Sequence, residues 1–544
     1  MKALDDLFDD STQFGRYQFV VAFLLFIPAS ILSGWNAYGM VFLAFTPDFK
    51  CADGLNGTEA LIRNGSEDDQ CFFVSISNET GGPTRQACQR WNYDKSHFEA
   101  TLVTELDLVC TKSIQPKLML SLLGVAGVLG LATFSYIQDA FGRKPAFLLS
   151  LTCYVFGASC STFAQSLLAF TLLRAFAASQ FDVSYNVPYI WSLEFFGPSK
   201  RTVINGTLAV GFGIGAVFLS VLAYFFPNWR HFGVATSLPF LLCYSYGLII
   251  HESPRWLLSQ GRIEEAALVI RKMARWNGKC VSKDDIEQRL RLLYVEEENV
   301  KTPQVQRPKF WHLFRGPNLR MKTILITLVW ISNAVTYYSI AFNLENLGGN
   351  PFVTFAVQAV MEAPANVLNI FLLNRVGRIL PLATSMIACS ICCFLYVPAH
   401  YFGEWQALIL ASCAKFAICI SYNIMYQLSG ELYPTTLRGV GVGLSCLFGN
   451  LGTITMPYII YSAEAHLTLP MIILGIITLG GAVCSAFLPE TMGQHMPQTV
   501  EEAERFGLVG WNTAVVSHWK RFVKLIRARE RHDSRPTVVQ CPVD

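Results

Sequence analysis

Apolar residues in this chain come in blocks of about 20, long enough to cross a bilayer as helices, and not in amphipathic stripes. Twelve blocks are legible, near 19–45, 117–137, 145–165, 167–193, 203–226, 232–250, 323–344, 352–373, 381–402, 406–430, 438–461 and 467–487. Two long polar intervals, 46–116 and 251–322, interrupt them, and a polar, basic tail follows about residue 493. The pattern predicts an all-α integral membrane protein with twelve spans. The first block follows LDDLFDDSTQFGRYQ and carries no signal-cleavage pattern, so it is read as a retained span.

Composition agrees with that pattern. Only 15% of the 544 residues are charged, against roughly 25% in soluble proteins. The net charge of +3 says little, but its distribution says more. Arg143, Lys144, Lys200 and Arg201 fall in short loops, RKMAR, Lys283, Arg289 and Arg291 in the second long interval, and HWKRFVKLIRARER in the tail. Basic residues mark the cytosolic side, which places both termini inside. Arg174 is read in the same way, as a residue that sets orientation. The first long interval carries sequons at Asn56, Asn64 and Asn78, and four cysteines, Cys51, Cys71, Cys88 and Cys110. That combination suits an oxidising exterior with glycans and disulfides, in any of three pairings. The expected division is a cytosolic 1–18, a first six-span half over 19–250, a cytosolic loop 251–322, a second half over 323–487 and a cytosolic tail 488–544.

The two halves repeat. QDAFGRK (138–144) is echoed by LNRVGRI (373–379), with Gly142 and Gly377 about 235 residues apart. Glu194 and Arg201 match Glu431 and Arg438, with the acid seven residues before the base in both, and HESPRW around Glu252 and Arg255 matches PET around Glu490. Duplicated halves meet at a midplane site and rock around it. The glycines are expected to allow tight turns. Asp139, Arg143, Arg378 and the paired acids and bases are expected to form ion pairs that hold an inner gate shut.

Polar residues at membrane depth are the candidates for chemistry, because burying an ionisable group in lipid costs about 3 kcal/mol or more. Gln358, Glu362, Asn366 and Asn369 share one helix face. So do Lys415, Cys419, Tyr422 and Tyr426, and Lys415 is a candidate partner for Glu362. Tyr337 and Tyr338 add aromatic faces that attract organic cations. Asp182, Tyr185 and Tyr189 line another helix, in which Pro188 frees a backbone carbonyl. No GxSxG element, P-loop, HExxH motif, spaced metal-ligand cluster or nucleic-acid-binding run is present, so neither an enzyme nor a cofactor is expected.

The stretches VFLAFTPDFKC (41–51), WNYD (91–94), TELDLVC (104–110), ESPRWLLSQGR (252–262), GGN (348–350), ELYPTTLRGVGVG (431–443) and LPET (488–491) resemble solute carrier family 22 of the major facilitator superfamily, with VFLAFTPD and NRVGRILP most like its organic cation branch. The resemblance implies a major facilitator fold of two pseudo-symmetric six-helix halves and alternating-access transport across the plasma membrane. It places Tyr337 and Glu362 on substrate-contacting positions of the cation transporters. Asn450 stands where cation transporters carry Asp and anion or carnitine transporters carry Arg. Tyr185 falls on a Trp, Asp182 near a Lys, and His251 replaces a Pro. With Glu362 present and no Arg at Asn450, the expected solute is a small organic cation or zwitterion. The alternatives are a carnitine-like or organic anion carrier, a non-transporting member, and a channel. The lipid bilayer is the expected surrounding, and the extracellular loop a candidate contact between copies.

Overall fold

A computed structural model describes residues 15–52, 71–76, 83–181, 183–195, 198–279, 281–300, 310–434, 437–492, 497 and 499–507. Asn56, Asn64, Asn78 and Asp182 lie outside the described residues.

Each apolar block forms helix. In order, the spans are Arg16–Leu43, Ile114–Ala140, Arg143–Ser161, Leu167–Ala178 continued by Val183–Phe195, Pro198–Phe225, and Trp229–Ser237 continued to Ile249. The second half follows with Pro317–Phe342, Pro351–Val360 continued by Glu362–Arg375, Ile379–Phe402, Glu404–Leu432, Arg438–Thr453 continued by Met456–Tyr461, and Leu469–Ala486. Nine helices among the described residues are long and apolar enough to cross a membrane by themselves. Spans 3, 4 and 6 are the others: span 3 opens on the polar RKP, and spans 4 and 6 are interrupted. Helix starts differ from the expectation where bases are concerned. Arg143, Lys144 and Arg201 belong to the first turns of spans 3 and 5, not to connecting loops.

The interruptions have a common cause. Proline cannot donate to the carbonyl four residues back and clashes with it. Pro239, Pro364 and Pro457 accordingly follow the breaks in spans 6, 8 and 11 by a few residues. In span 4 Pro188 is accommodated within the helix, and the carbonyl it releases, Ser184 O, accepts from Ser33 Oγ of span 1 at 2.9 Å. Spans 1 and 5 cross backbone to backbone, because a Cβ at Gly34 would lie 2.7 Å from Phe212 O. Arg174 is a correction to the sequence reading. It is 5% exposed, beside Gly39 of span 1, and so does more than mark a membrane boundary.

Outside the spans, Phe49–Cys51 pairs antiparallel with Trp91–Tyr93, and Phe72–Ile76 with Pro83–Ala87. Disulfides join Cys51 to Cys88 and Cys71 to Cys110, one of the three possible pairings. Glu105 clasps this loop to span 6: Arg230 Nη2 donates at 2.5 Å and Trp229 Nε1 at 2.6 Å, and the Arg230 bond holds the Glu105 carboxyl below the usual range. Removing one native disulfide is expected to cost about 2–5 kcal/mol. Cys51→Ser and Cys88→Ser should therefore lower thermal stability equally, and the double variant no further. Additive losses would reject the pairing.

The repeat extends into the polar segments. Asn277, after the helix Ile263–Trp276, accepts from Tyr17 N at 2.9 Å at the start of span 1. Glu504, in the helix Val500–Arg505, accepts from Asn318 N at 2.7 Å and Leu319 N at 2.8 Å at the start of span 7. Each half thus has its first span capped by a segment that follows its last.

Candidate functional site

Four buried side chains from three spans of one half and one span of the other meet at mid-chain depth. Glu362 begins the second helix of span 8, Lys415 lies on span 10, Tyr337 on span 7 and Tyr38 on span 1. Their exposures are 3%, 1%, 8% and 1%. Lys415 Nζ is 3.1 Å from Glu362 Oε1, to which Tyr337 Oη donates at 2.8 Å, and Tyr38 Oη lies 2.9 Å from the same oxygen. Lys415 Nζ also donates to Tyr38 Oη at 3.1 Å and sits 3.4 Å from the centroid of the Tyr337 ring. Burial makes the pair sensitive: two desolvated charges are tolerable only when paired and hydrogen-bonded, as here. Gly213 of span 5 makes the approach possible, since a Cβ there would stand 3.2 Å from Glu362 Cβ.

An aromatic wall extends from the pair in both directions. Tyr337 stacks on Tyr422 at 4.8 Å, Tyr422 meets Tyr426 at 5.4 Å, and Tyr426 meets Trp330 at 4.4 Å. On the other side Tyr38 meets Phe212 and Phe355, Phe212 meets Tyr185, and Tyr185 stacks on Tyr189 at 6.1 Å. Tyr338 touches Tyr337 at 5.2 Å and Phe181 of span 4 at 6.0 Å. Rings from both halves therefore flank one carboxylate, which suits it to an organic ammonium group.

The chain matches the family described as "Sugar (and other) transporter" over residues 22–503. It is 31% identical to the carcinine transporter of Drosophila melanogaster, over 93% of this chain and 79% of that one. It is 32% identical to the organic cation transporter protein of the same fly, over 92% and 95%. Solute carrier family 22 member 21 of Mus musculus is 31% identical over 92% and 93%. The chain belongs to solute carrier family 22. Its fold is that of the major facilitator superfamily, as in the proton:xylose symporter XylE bound to 6-bromo-6-deoxy-D-glucose, with a TM-score of 0.59 at 16% identity over 90% of this chain and 98% of that one. This solute carrier is a membrane transporter of twelve spans in two six-helix halves.

The repeated motifs of the solute carrier close differently from the sequence expectation. Glu194 and Glu431 do not pair as the motif spacing suggested. Arg143 Nη2 is 2.9 Å from Glu194 Oε1, and Arg378 Nη2 is 2.9 Å from Glu431 Oε1, each within its own half. Asp139 adds a partly exposed contact to Arg143 at 3.1 Å, and Arg255 Nε donates to Glu194 O at 3.3 Å. Gly142 and Gly377 adopt φ of +108° and +114°, the left-handed region that glycine tolerates. Each turn presents backbone N–H groups to a carboxylate. Glu252 accepts from Arg143 N at 3.0 Å and Lys144 N at 3.1 Å, and Glu490 from Arg378 N at 3.0 Å and Ile379 N at 3.1 Å. Burial pushes the Glu252 carboxyl up, against the pull of those N–H groups. These clusters clamp each half; they do not bolt the halves together.

The contacts that do join the halves gather toward the end bearing the disulfide-linked loop. Besides the Tyr38 cluster, Ser220 Oγ donates to Phe352 O at 2.6 Å, Thr46 N to Glu345 Oε1 at 2.9 Å, and Lys117 lies 3.9 Å from Glu464.

Among the remaining candidates, Asn366 accepts from Asn423 Nδ2 at 2.7 Å and Asn369 donates to Ile420 O at 3.3 Å, so both join span 8 to span 10. Asn450 follows Gly449, which packs on Trp330. Gln358 is 2% exposed and neither of its amide atoms has a hydrogen-bond partner. Tyr38, Phe212, Gly213 and Phe355 escaped the sequence reading. The polar insertion WNAYG in an otherwise apolar first span is the one signal that pointed to Tyr38.

Proposed function

We propose that this solute carrier moves small organic ammonium compounds, cations or zwitterions, across the plasma membrane by alternating access, with both termini in the cytosol. The observation that carries the reading is Glu362, buried among tyrosines supplied by both halves. A solute bound there touches spans 1, 7, 8 and 10 at once, so its arrival changes the contacts on which the packing of the halves depends. The names of relatives support the class: carcinine, β-alanine and organic cation transporters are among them. The positive-inside bases set the orientation, which makes the disulfide-linked end extracellular and closed. Glu362, Tyr337, Tyr38, Lys415, Tyr422, Tyr185 and Asp182 are the proposed substrate-contacting residues.

Side-by-side uptake of radiolabelled tetraethylammonium, carnitine and para-aminohippurate into cells expressing the full chain tests this. Saturable uptake of either of the first two is expected. Uptake of para-aminohippurate alone would overturn it.

A further inference from the structure

The Glu362–Lys415 pair is electrically neutral as it stands, and the other hydrogen-bonding groups on it, Tyr38, Tyr337 and the Tyr337 carbonyl, are uncharged. A solute with one positive charge would leave this buried region with an uncompensated cation, and one with a single negative charge would leave an uncompensated anion. Only a solute bearing both charges leaves the balance as it was. The bond pattern provides for both. All three contacts to the carboxylate converge on Oε1, while Oε2 faces Gly213 and takes no hydrogen bond from the described residues, so it is the acceptor for an incoming ammonium. Lys415 has a second berth, over the Tyr337 ring at 3.4 Å and on Tyr337 O at 3.4 Å, from which its Nζ can take a carboxylate. Gln358 stands one turn before Glu362 on the same helix face, and both its amide nitrogen and its amide oxygen are buried without a partner. A buried amide that offers a donor and an acceptor, and uses neither, matches a ligand that needs both.

We infer that this site, read as the substrate site, takes small zwitterions in preference to cations of the same size, the ammonium on Glu362 Oε2 and the carboxylate on Lys415, with Gln358 serving both. The shared Tyr38 hydroxyl is then released from one or both partners, which loosens the one buried hydroxyl link from span 1 to the pair.

Matched probes test the charge requirement at constant size. 3-Aminopropanoate, 4-aminobutyrate and 6-aminohexanoate would each be compared with the amine and the acid of the same carbon chain. Binding is read as thermal stabilisation of the purified full-length protein and as inhibition of tetraethylammonium uptake. At one length at least, the zwitterion is expected to bind about tenfold more tightly than either single-charge analogue. In Lys415→Gln that advantage over the amine should vanish, and in Glu362→Gln the advantage over the acid. Gln358→Leu should weaken the zwitterion alone. Amines that equal or exceed the zwitterion at every length, or an unchanged ratio in Lys415→Gln, would overturn the inference. So would absence of binding by all the zwitterions. The broader reading is separable: tetraethylammonium uptake without zwitterion preference keeps the carrier and rejects the zwitterion site. Zwitterion preference without tetraethylammonium uptake does the reverse for simple cations.

Discussion

Lys415→Met is expected to abolish uptake and to destabilise the protein strongly, and adding Glu362→Gln is expected to return most of the stability and none of the uptake. The single change leaves a carboxylate that is 3% exposed without its countercharge. Stranding one member of a buried pair costs about 3–5 kcal/mol, whereas removing both members is often close to neutral. The tyrosines cannot substitute for the lysine, because Tyr337 Oη and Tyr38 Oη solvate the charge on Oε1 but do not cancel it. Glu362→Gln alone strands Lys415, which retains the Tyr337 ring at 3.4 Å, a contact worth about 2 kcal/mol when desolvated. It should therefore destabilise less than Lys415→Met. Thermal unfolding of the four proteins in detergent, read alongside uptake, checks the ordering. If the double variant unfolds lower than Lys415→Met, the pair does not have the energetic role its geometry indicates.

Arg378→Ala is expected to cut uptake by more than about tenfold and to lower stability by about 3 kcal/mol, the lower end for a pair this well shielded. Arg378 donates to Glu431 through two nitrogens, at 3.0 and 2.9 Å, and to Leu373 O at 2.8 Å, while its backbone N–H holds Glu490. The side chains of the pair are 15% and 11% exposed, so surface screening recovers little. Arg143→Ala should behave alike, since Arg143 repeats the arrangement with Glu194 and Gln138 O. Double-mutant cycles discriminate a clamp from a bolt. Arg378 with Glu431, and Arg143 with Glu194, should couple by more than about 1 kcal/mol, and the crossed combination Arg143 with Glu431 by nearly nothing. Strong coupling in the crossed cycle would restore the gate that motif spacing suggested.

That contrast marks where the sequence was legible. Membrane-length apolar runs are a property of single segments, so all twelve spans were readable, and Pro188 revealed a released carbonyl whose partner, Ser33, only packing could supply. The span-8 and span-10 polar faces were readable for the same reason, since helical spacing alone brings Gln358 and Glu362, or Lys415 and Tyr422, to one side. The acid–base spacing in the repeated motifs misled because it measures distance along the chain. Glu431 lies nearer in sequence to Arg438 than to Arg378, but the start of span 9 packs beside the end of span 10 and delivers Arg378. Tyr38 was hidden for another reason. A tyrosine in an apolar helix is ordinarily an interface marker, and nothing local says that a carboxylate more than 300 positions later will meet its hydroxyl. Gly213 was missed because a glycine reports the neighbour it admits, and that neighbour, Glu362, belongs to the other half.

The caps supplied by Asn277 and Glu504 have a consequence for how the molecule can be assembled. Every clamp in the first half is built from residues 15–277, and every clamp in the second from residues 310–507. A chain severed between position 300 and position 310 would lose no bond of either set. The two pieces, synthesised separately in one membrane, would each contain everything needed to hold its own helices in register, and would need only the Tyr38 link and its neighbours to find each other. The transporter is in that sense a heterodimer written as one polypeptide.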